Sequence, residues 1–221
     1  MWSVAWEAFN AQDSWLPLNL PLIIWVGCFL YCYLPSTSKQ RPIFDKWQAL
    51  HNFHNCGGML LALLSICFGN DAVFNERISI LWSLGYFGVD LMDCIYRQDV
   101  EYTLHALFCV VLGMANYVSP VCRELRMNSK ALMCELSSPF LHLSKRTRNP
   151  LHFAIFAFVF TLCRILWVPY MTYQVIDYGL AWYDYRVVFL VGFYSLNVFW
   201  YFKILRIIVN GARAQEEAKK E

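Results

Sequence analysis

Apolar residues fill seven long stretches of the chain, and polar residues gather between them. A helix needs about 20 mostly apolar residues to cross a bilayer. The stretches at 15–34, 47–68, 78–96, 100–119, 151–173 and 187–207 meet that length or come close to it. The seventh, 131–143, is shorter and holds Glu135 and Pro139, so it reads as a short or broken helix. The intervening segments are short, which predicts antiparallel neighbours in one helical bundle. No internal repeat or linker interrupts it. The expected organisation is an N-terminal segment with a first transmembrane helix (1–46), a six-helix core (47–208) and a charged tail (209–221).

Composition agrees with a membrane class. Hydrophobic residues make up 58% of the 221, charged residues 15% and aromatic residues 18%, and the mean hydropathy is +0.39. A soluble domain carries about 25% charged residues, and one of this size cannot bury so much apolar surface. Disorder and collagen are excluded by the same figures. A net charge of +2 gives no reason to expect a nucleic-acid partner. Eight of the nine cysteines lie in or beside apolar runs, so they read as buried packing thiols, not a disulfide framework.

Glu7 and Asp13 precede the first basic residue, Lys39, which does not fit the positive start of a cleavable signal. With the N-terminus outside, eleven loop and tail Lys and Arg fall on the inner face: 39, 41, 46, 97, 145, 146, 148, 206, 213, 219 and 220. Five fall outside, at 77, 123, 126, 130 and 186. That bias predicts a cytosolic or matrix-facing C-terminus.

Ionisable side chains inside spans are costly unless they face a cavity or a partner. His54, Asp90, His105, Glu135 and Arg164 lie deep in five different apolar stretches. Others have simpler readings. His51 is expected at the interface near Lys46, Asp93 beside Arg97 one turn on, and Glu101 as a solvated helix-start acid. His142 and His152 flank a basic loop and are expected on the surface. Gly57 and Gly58 lie inside a span and fit helix packing. Two readings of the deep set stand side by side. In one, Arg164–carboxylate and His–Asp contacts fix helix register. In the other, they line a polar cavity with histidine as acid, base or nucleophile. Five histidines are too few for a desaturase-type diiron site, and no metal site is expected. A receptor or rhodopsin is excluded: there is no D-R-Y, no N-P-x-x-Y, and Lys203 sits near the end of the last stretch.

Four segments carry a resemblance. W-Q-A-L-H-N-F-H at 47–54, G-Y-F-G-V-D at 85–90, E-L-S-S-P-F-L at 135–141 and F-x-x-x-R at 160–164 occur in that order. Together the chain resembles the TLC family, the ceramide-synthase-like and TRAM-like multi-pass membrane proteins. The resemblance implies an all-α bundle around a lipid-sized tunnel, a role in lipid metabolism or lipid homeostasis, and an endoplasmic-reticulum membrane, with the mitochondrial inner membrane as the alternative. In the ceramide synthase branch a consecutive His-His pair transfers an acyl group from acyl-CoA. Here the first histidine matches His105, but Ala106 stands at the second, and the longer Arg- and Asn-containing signature is missing.

The residues and the resemblance together set the expected site. His105 is the catalytic base, oriented by Asp90. His54 and Glu135 position the acceptor, and Arg164 holds a carboxylate or phosphate headgroup. No cofactor is expected, with acyl-CoA as the candidate co-substrate and membrane lipids as partners. The alternative is a non-catalytic accessory subunit of a larger membrane complex. Seven crossings predict termini on opposite sides, so a C-terminal reporter is expected to read as cytosolic and an N-terminal one as non-cytosolic. Termini on one side would remove 131–143 as a crossing.

Overall fold

A computed structural model describes residues 15–33, 44–68 and 76–218. Glu7, Asp13, Lys39, Arg41, Lys219 and Lys220, on which the signal-peptide and orientation readings partly rest, lie outside the described residues. Among the described residues every regular element is helical. The long helices are α1 (Trp15–Tyr33), α2 (Phe44–Phe68), α3 (Glu76–Tyr96) and α4 (Val100–Val118). The short α5 (Pro120–Glu124) and α6 (Met127–Leu132) lead into a 3-10 turn (Met133–Leu136) and α7 (Ser137–Thr147). α8 (Pro150–Phe160), a π turn (Thr161–Leu166) and α9 (Trp167–Asp177) form one broken rod, and α10 (Tyr185–Ala218) closes the chain.

Local chemistry sets the boundaries. Asp99 caps α4 by accepting from the Tyr102 N–H at 3.4 Å. Ser119 and Asn149 cap α5 and α8, each followed by a proline at the first helical position. Proline has no N–H to lose there and its φ already suits a helix. The interior irregularities also have a proline behind them. Pro139 has no N–H for the Glu135 carbonyl, and the chain tightens to a 3-10 turn just before it. Pro169 cannot donate to Ile165 and crowds it, and the helix widens to a π turn over 161–166. The expected short span at 131–143 is thus three helical pieces.

α3 packs against α4 and α1, α2 against α6, and α7 against α8. α4 and α10 run antiparallel. Glu101 at the start of α4 accepts from Lys203 and from Trp200 Nε1 (3.2 Å), late in α10. Ser119 at the other end of α4 accepts from Arg186 Nη1 at 2.7 Å. Glu101 is therefore an interhelical tie, where the sequence suggested only a solvated acid. Arg186 also grips Asp184 with Nε and Nη2 at 2.7 and 2.6 Å, and those donated bonds hold the Asp184 carboxyl down, to about 2. Asp93 pairs with Arg97, as the four-residue spacing suggests.

The core centres on Trp25, Tyr86 and Phe87 between α1 and α3, and on Val168, Met171, Val175 and Phe193 between α9 and α10. The outside is apolar too: Phe158 is 64% exposed and Phe202 65%. The rod 150–177 and the segment 185–211 are each long and apolar enough to cross a membrane. An apolar skin over an apolar core is the signature of a helix bundle solvated by lipid.

Close approach of α1 to α3 depends on Gly85, where an added Cβ would lie 2.8 Å from the Pro21 backbone carbon. Backbone cannot step aside as a flexible side chain can. Gly85→Ala is expected to destabilise the bundle by about 1–3 kcal/mol. Gly57, with nothing within 4 Å, is the contrast: Gly57→Ala is expected to gain about 0.5–1 kcal/mol of helix preference. Unfolding of the purified protein in detergent checks both, and equal effects would reject the packing account. At Gly58, by comparison, an added Cβ would meet the Leu132 side chain at 3.5 Å, an ordinary contact.

Candidate functional site: a buried Arg164–Glu135–His105 cluster

Arg164 sits in the π turn, 4% exposed. Its Nε donates to the Cys134 carbonyl (3.1 Å) and to Ser137 Oγ (3.0 Å), its Nη1 to Asn197 Oδ1 (3.1 Å) and its Nη2 to Glu135 Oε1 (3.2 Å). Glu135 comes from the 3-10 turn, and its other oxygen accepts from Ser138 Oγ at 2.9 Å. The irregular turns made by Pro139 and Pro169 thus carry the two charges that meet. Asn197 is fixed in turn by its Nδ2 donating to the Phe193 carbonyl at 2.8 Å.

His105 on α4 reaches the same carboxylate, with Nε2 3.9 Å from Glu135 Oε1. Its ring is walled by Phe193, Trp200 and Phe87, with centroids 5.7, 5.3 and 6.0 Å away. Cys109, one turn on, places Sγ 3.7 Å from Nε2. The carboxylate facing His105 is Glu135, and Asp90 makes no hydrogen bond to His105. Phe87 occupies the side of α3 that faces His105, and Asp90 lies three residues further along, half-buried. The expected His105–Asp90 dyad is replaced by a His105–Glu135 pair. Arg164, expected to grip a headgroup, spends its Nε and both Nη groups on the chain itself.

His54 also packs edge-on with Phe87, 5.2 Å between centroids, and stacks on Tyr86 at 3.6 Å. Its Nδ1 meets Asn55 Oδ1 at 3.0 Å, and its Nε2 is buried without a partner. His51 takes a hydrogen bond from the Tyr86 hydroxyl. His142 Nδ1 donates to Asn52 Oδ1 at 2.8 Å, and its ring lies 6.1 Å from that of His51. Both were expected to be solvated, and both are half-buried and partnered. Spacing along one helix does not reveal a partner 90 residues away.

The sequence reading also passed over Glu76. Its carboxylate, 4% exposed, accepts from the Ser129 N–H (2.9 Å), from Ser129 Oγ and from Ser65 Oγ (3.3 Å), tying α3 to α6 and α2. A first-turn acid looks like an ordinary helix start, and its partners lie 11 and 53 residues away.

The best-formed cavities among the described residues are small. One of about 40 Å³ is lined by Glu135, Ser83, Asn116 and Asn128 among apolar groups, and one of about 20 Å³ lies beside it. Neither has the volume of an acyl chain. No cluster of three or more His, Cys, Asp or Glu among them is spaced to hold a metal ion.

The profile of the TLC domain, shared by the TRAM, LAG and CLN proteins, matches residues 23–206. The chain belongs to the TLC-domain family. The match takes in most of α1 and all the residues of the polar cluster. It identifies a membrane-associated, lipid-related protein. No curated protein and no solved structure matches the chain.

The Arg164–Glu135 pair sets a stability test of the TLC domain. Arg164→Met leaves a buried carboxylate without its counter-charge, which costs about 3–5 kcal/mol. Removing both charges, in Arg164→Met with Glu135→Leu, is expected to recover most of that loss. Unfolding of both variants in detergent measures the coupling, and simple additivity would show that the pair is not a unit.

Proposed function

We propose that this TLC-domain protein binds a membrane lipid or acyl chain and that His105, backed by Glu135, is the base of an acyl transfer from acyl-CoA. The observation that carries this reading is the His105–Glu135–Arg164 cluster: three ionisable groups on three elements, spaced 3.9 and 3.2 Å, inside an otherwise apolar bundle. The His105 imidazole takes the proton of an acceptor hydroxyl or amine as its oxygen or nitrogen attacks the thioester carbonyl. Glu135 stabilises the imidazolium that forms, and Arg164 keeps Glu135 ionised and in place. The proton then passes to the departing CoA thiolate. The acyl chain approaches from the bilayer side, where Leu104 and Leu107 flank His105 and are 43% and 44% exposed. Seven crossings and an endoplasmic-reticulum membrane belong to the same proposal, on the hydropathy pattern and the family.

A second reading is favoured by a specific observation. Arg164 directs its Nε and both Nη groups to the chain, as a packing element does, and Ala106 replaces the family's second histidine. On that reading the domain is a non-catalytic accessory subunit of a larger membrane complex.

Purified protein incubated with acyl-CoA and amine or lysolipid acceptors separates the two. Turnover is expected to fall by at least about 100-fold in His105→Ala, with a lipid co-purifying in native mass spectrometry. Turnover untouched by that substitution would reject His105 as the base. No turnover together with recovery in a stable complex in mild detergent would establish the second reading.

A further inference from the structure

The two cavities share Leu112, Asn116, Ala131 and Leu190 in their walls, so they lie end to end. The inner one ends on the Glu135 carboxylate and the outer one on Arg186, at the end of α4 that Ser119 marks. A site for a water molecule needs roughly 10–15 Å³ and two to four polar partners. The inner cavity therefore has room for about three waters and the outer for about one.

Glu135, Asn128 and Arg186 in these walls are partnered within the fold, but two other polar side chains there are not. Ser83 Oγ is fully buried with no hydrogen bond. Asn116, 7% exposed, makes no side-chain hydrogen bond although it borders both cavities. A buried polar group left unsatisfied costs about 1–3 kcal/mol, and an apolar side chain at either position would avoid that cost. An acyl chain satisfies neither group and is too large. Water satisfies both.

We propose that the two cavities form one hydrated path, gated by Asn116, which binds a short file of water and carries protons between the Arg186 end of the bundle and the Glu135–His105 pair. A proton taken up by the file at Glu135 displaces one into solvent at the mouth, and the reverse transfer restores it. No electrons move and no bond other than O–H or N–H changes. The path goes beyond the acyl-transfer reading and does not require it, because any base chemistry at His105 must exchange its proton with solvent.

The full chain in detergent or nanodiscs, exposed to radiolytic hydroxyl radicals in ¹⁸O-water, tests the water file. Met171 is fully buried and lines the inner cavity, whereas Trp25 is equally buried and lies outside both cavities. After correction for intrinsic reactivity, Met171 is expected to be oxidised several-fold faster than Trp25, and Asn116→Leu to suppress the difference. Ser83→Ala, a smaller change, is expected to reduce it in part and serves if Asn116→Leu does not fold. Proton delivery is read at Cys109, which also lines the inner cavity. Its S–H stretch, isolated by subtracting the Cys109→Ser spectrum, is expected to shift to S–D rapidly in D₂O and slowly in Asn116→Leu. Met171 as protected as Trp25 would overturn the water file, and a Cys109 exchange rate indifferent to Asn116 would overturn the gate. Neither readout depends on acyl transfer, so failure of the path and failure of the proposed activity are separate results.

Discussion

A guanidinium and a carboxylate, 3.2 Å apart and buried inside the bundle, hold each other in place at Arg164 and Glu135. Neither charge is tolerable there alone. Each therefore dictates where the other's element must lie. The π turn that carries Arg164 is drawn onto the 3-10 turn that carries Glu135, and Asn197 and Ser137 accept further hydrogen bonds from the guanidinium. α10 follows, because Asn197 rides on it, and α4 follows α10, tied at one end by Glu101 with Lys203 and at the other by Ser119 with Arg186. The position of His105 is the last step in that chain of constraints. In lipid, helices associate through close packing and polar contacts without a hydrophobic drive, and the buried ion pair adds a register constraint to the packing at Gly85.

Backbone irregularity is what lets the pair form. A regular helix buries its own carbonyls and fixes its side chains at 100° steps, which leaves few directions for a long side chain to reach a partner. Pro139 and Pro169 each deny a carbonyl its usual donor, and the chain answers with a tight turn at one place and a wide one at the other. Arg164 then donates to the Cys134 carbonyl inside the tight turn. The irregular turns supply acceptors as well as direction, and that is the physical reason the charged residues sit on them and not on the straight helices.

This division explains what was legible in the sequence. Hydropathy alone placed α2, α3 and α4 to within a few residues, whereas α10 runs on to Ala218, past the expected end at 207 and into the charged tail. Contacts within one helix were legible as well: Asp93 and Arg97 are four apart and pair. The Arg164–carboxylate contact was also anticipated, because a deep arginine demands a counter-charge and few were on offer. Which histidine meets which acid was not legible. Asp90 and Glu135 are both carboxylates in apolar stretches, and choosing between them for His105 requires knowing that the 3-10 turn brings Glu135 within 3.9 Å of it. His142 and Glu76 escaped for the same reason. Their partners, Asn52 and Ser129, lie far off in the chain and are ordinary polar residues with no spacing to betray them.

Ala106 narrows the chemistry that the cluster can perform. It is fully buried, so the fold has closed around the small side chain and has no space for a second imidazole beside His105. A mechanism that divides nucleophile and base between two adjacent histidines has no place here. One imidazole, one carboxylate and one arginine remain, which is sufficient to move a proton but not to hold an acyl group on one histidine while the other acts. A single base needs the acceptor itself to be the nucleophile, and it needs a way to shed or regain its proton between turnovers. In the proposed reaction the carboxylate at 3.9 Å serves the base by favouring the imidazolium. The unpartnered Ser83 and Asn116, lying between Glu135 and the aqueous end of α4, sit where the second need would be met.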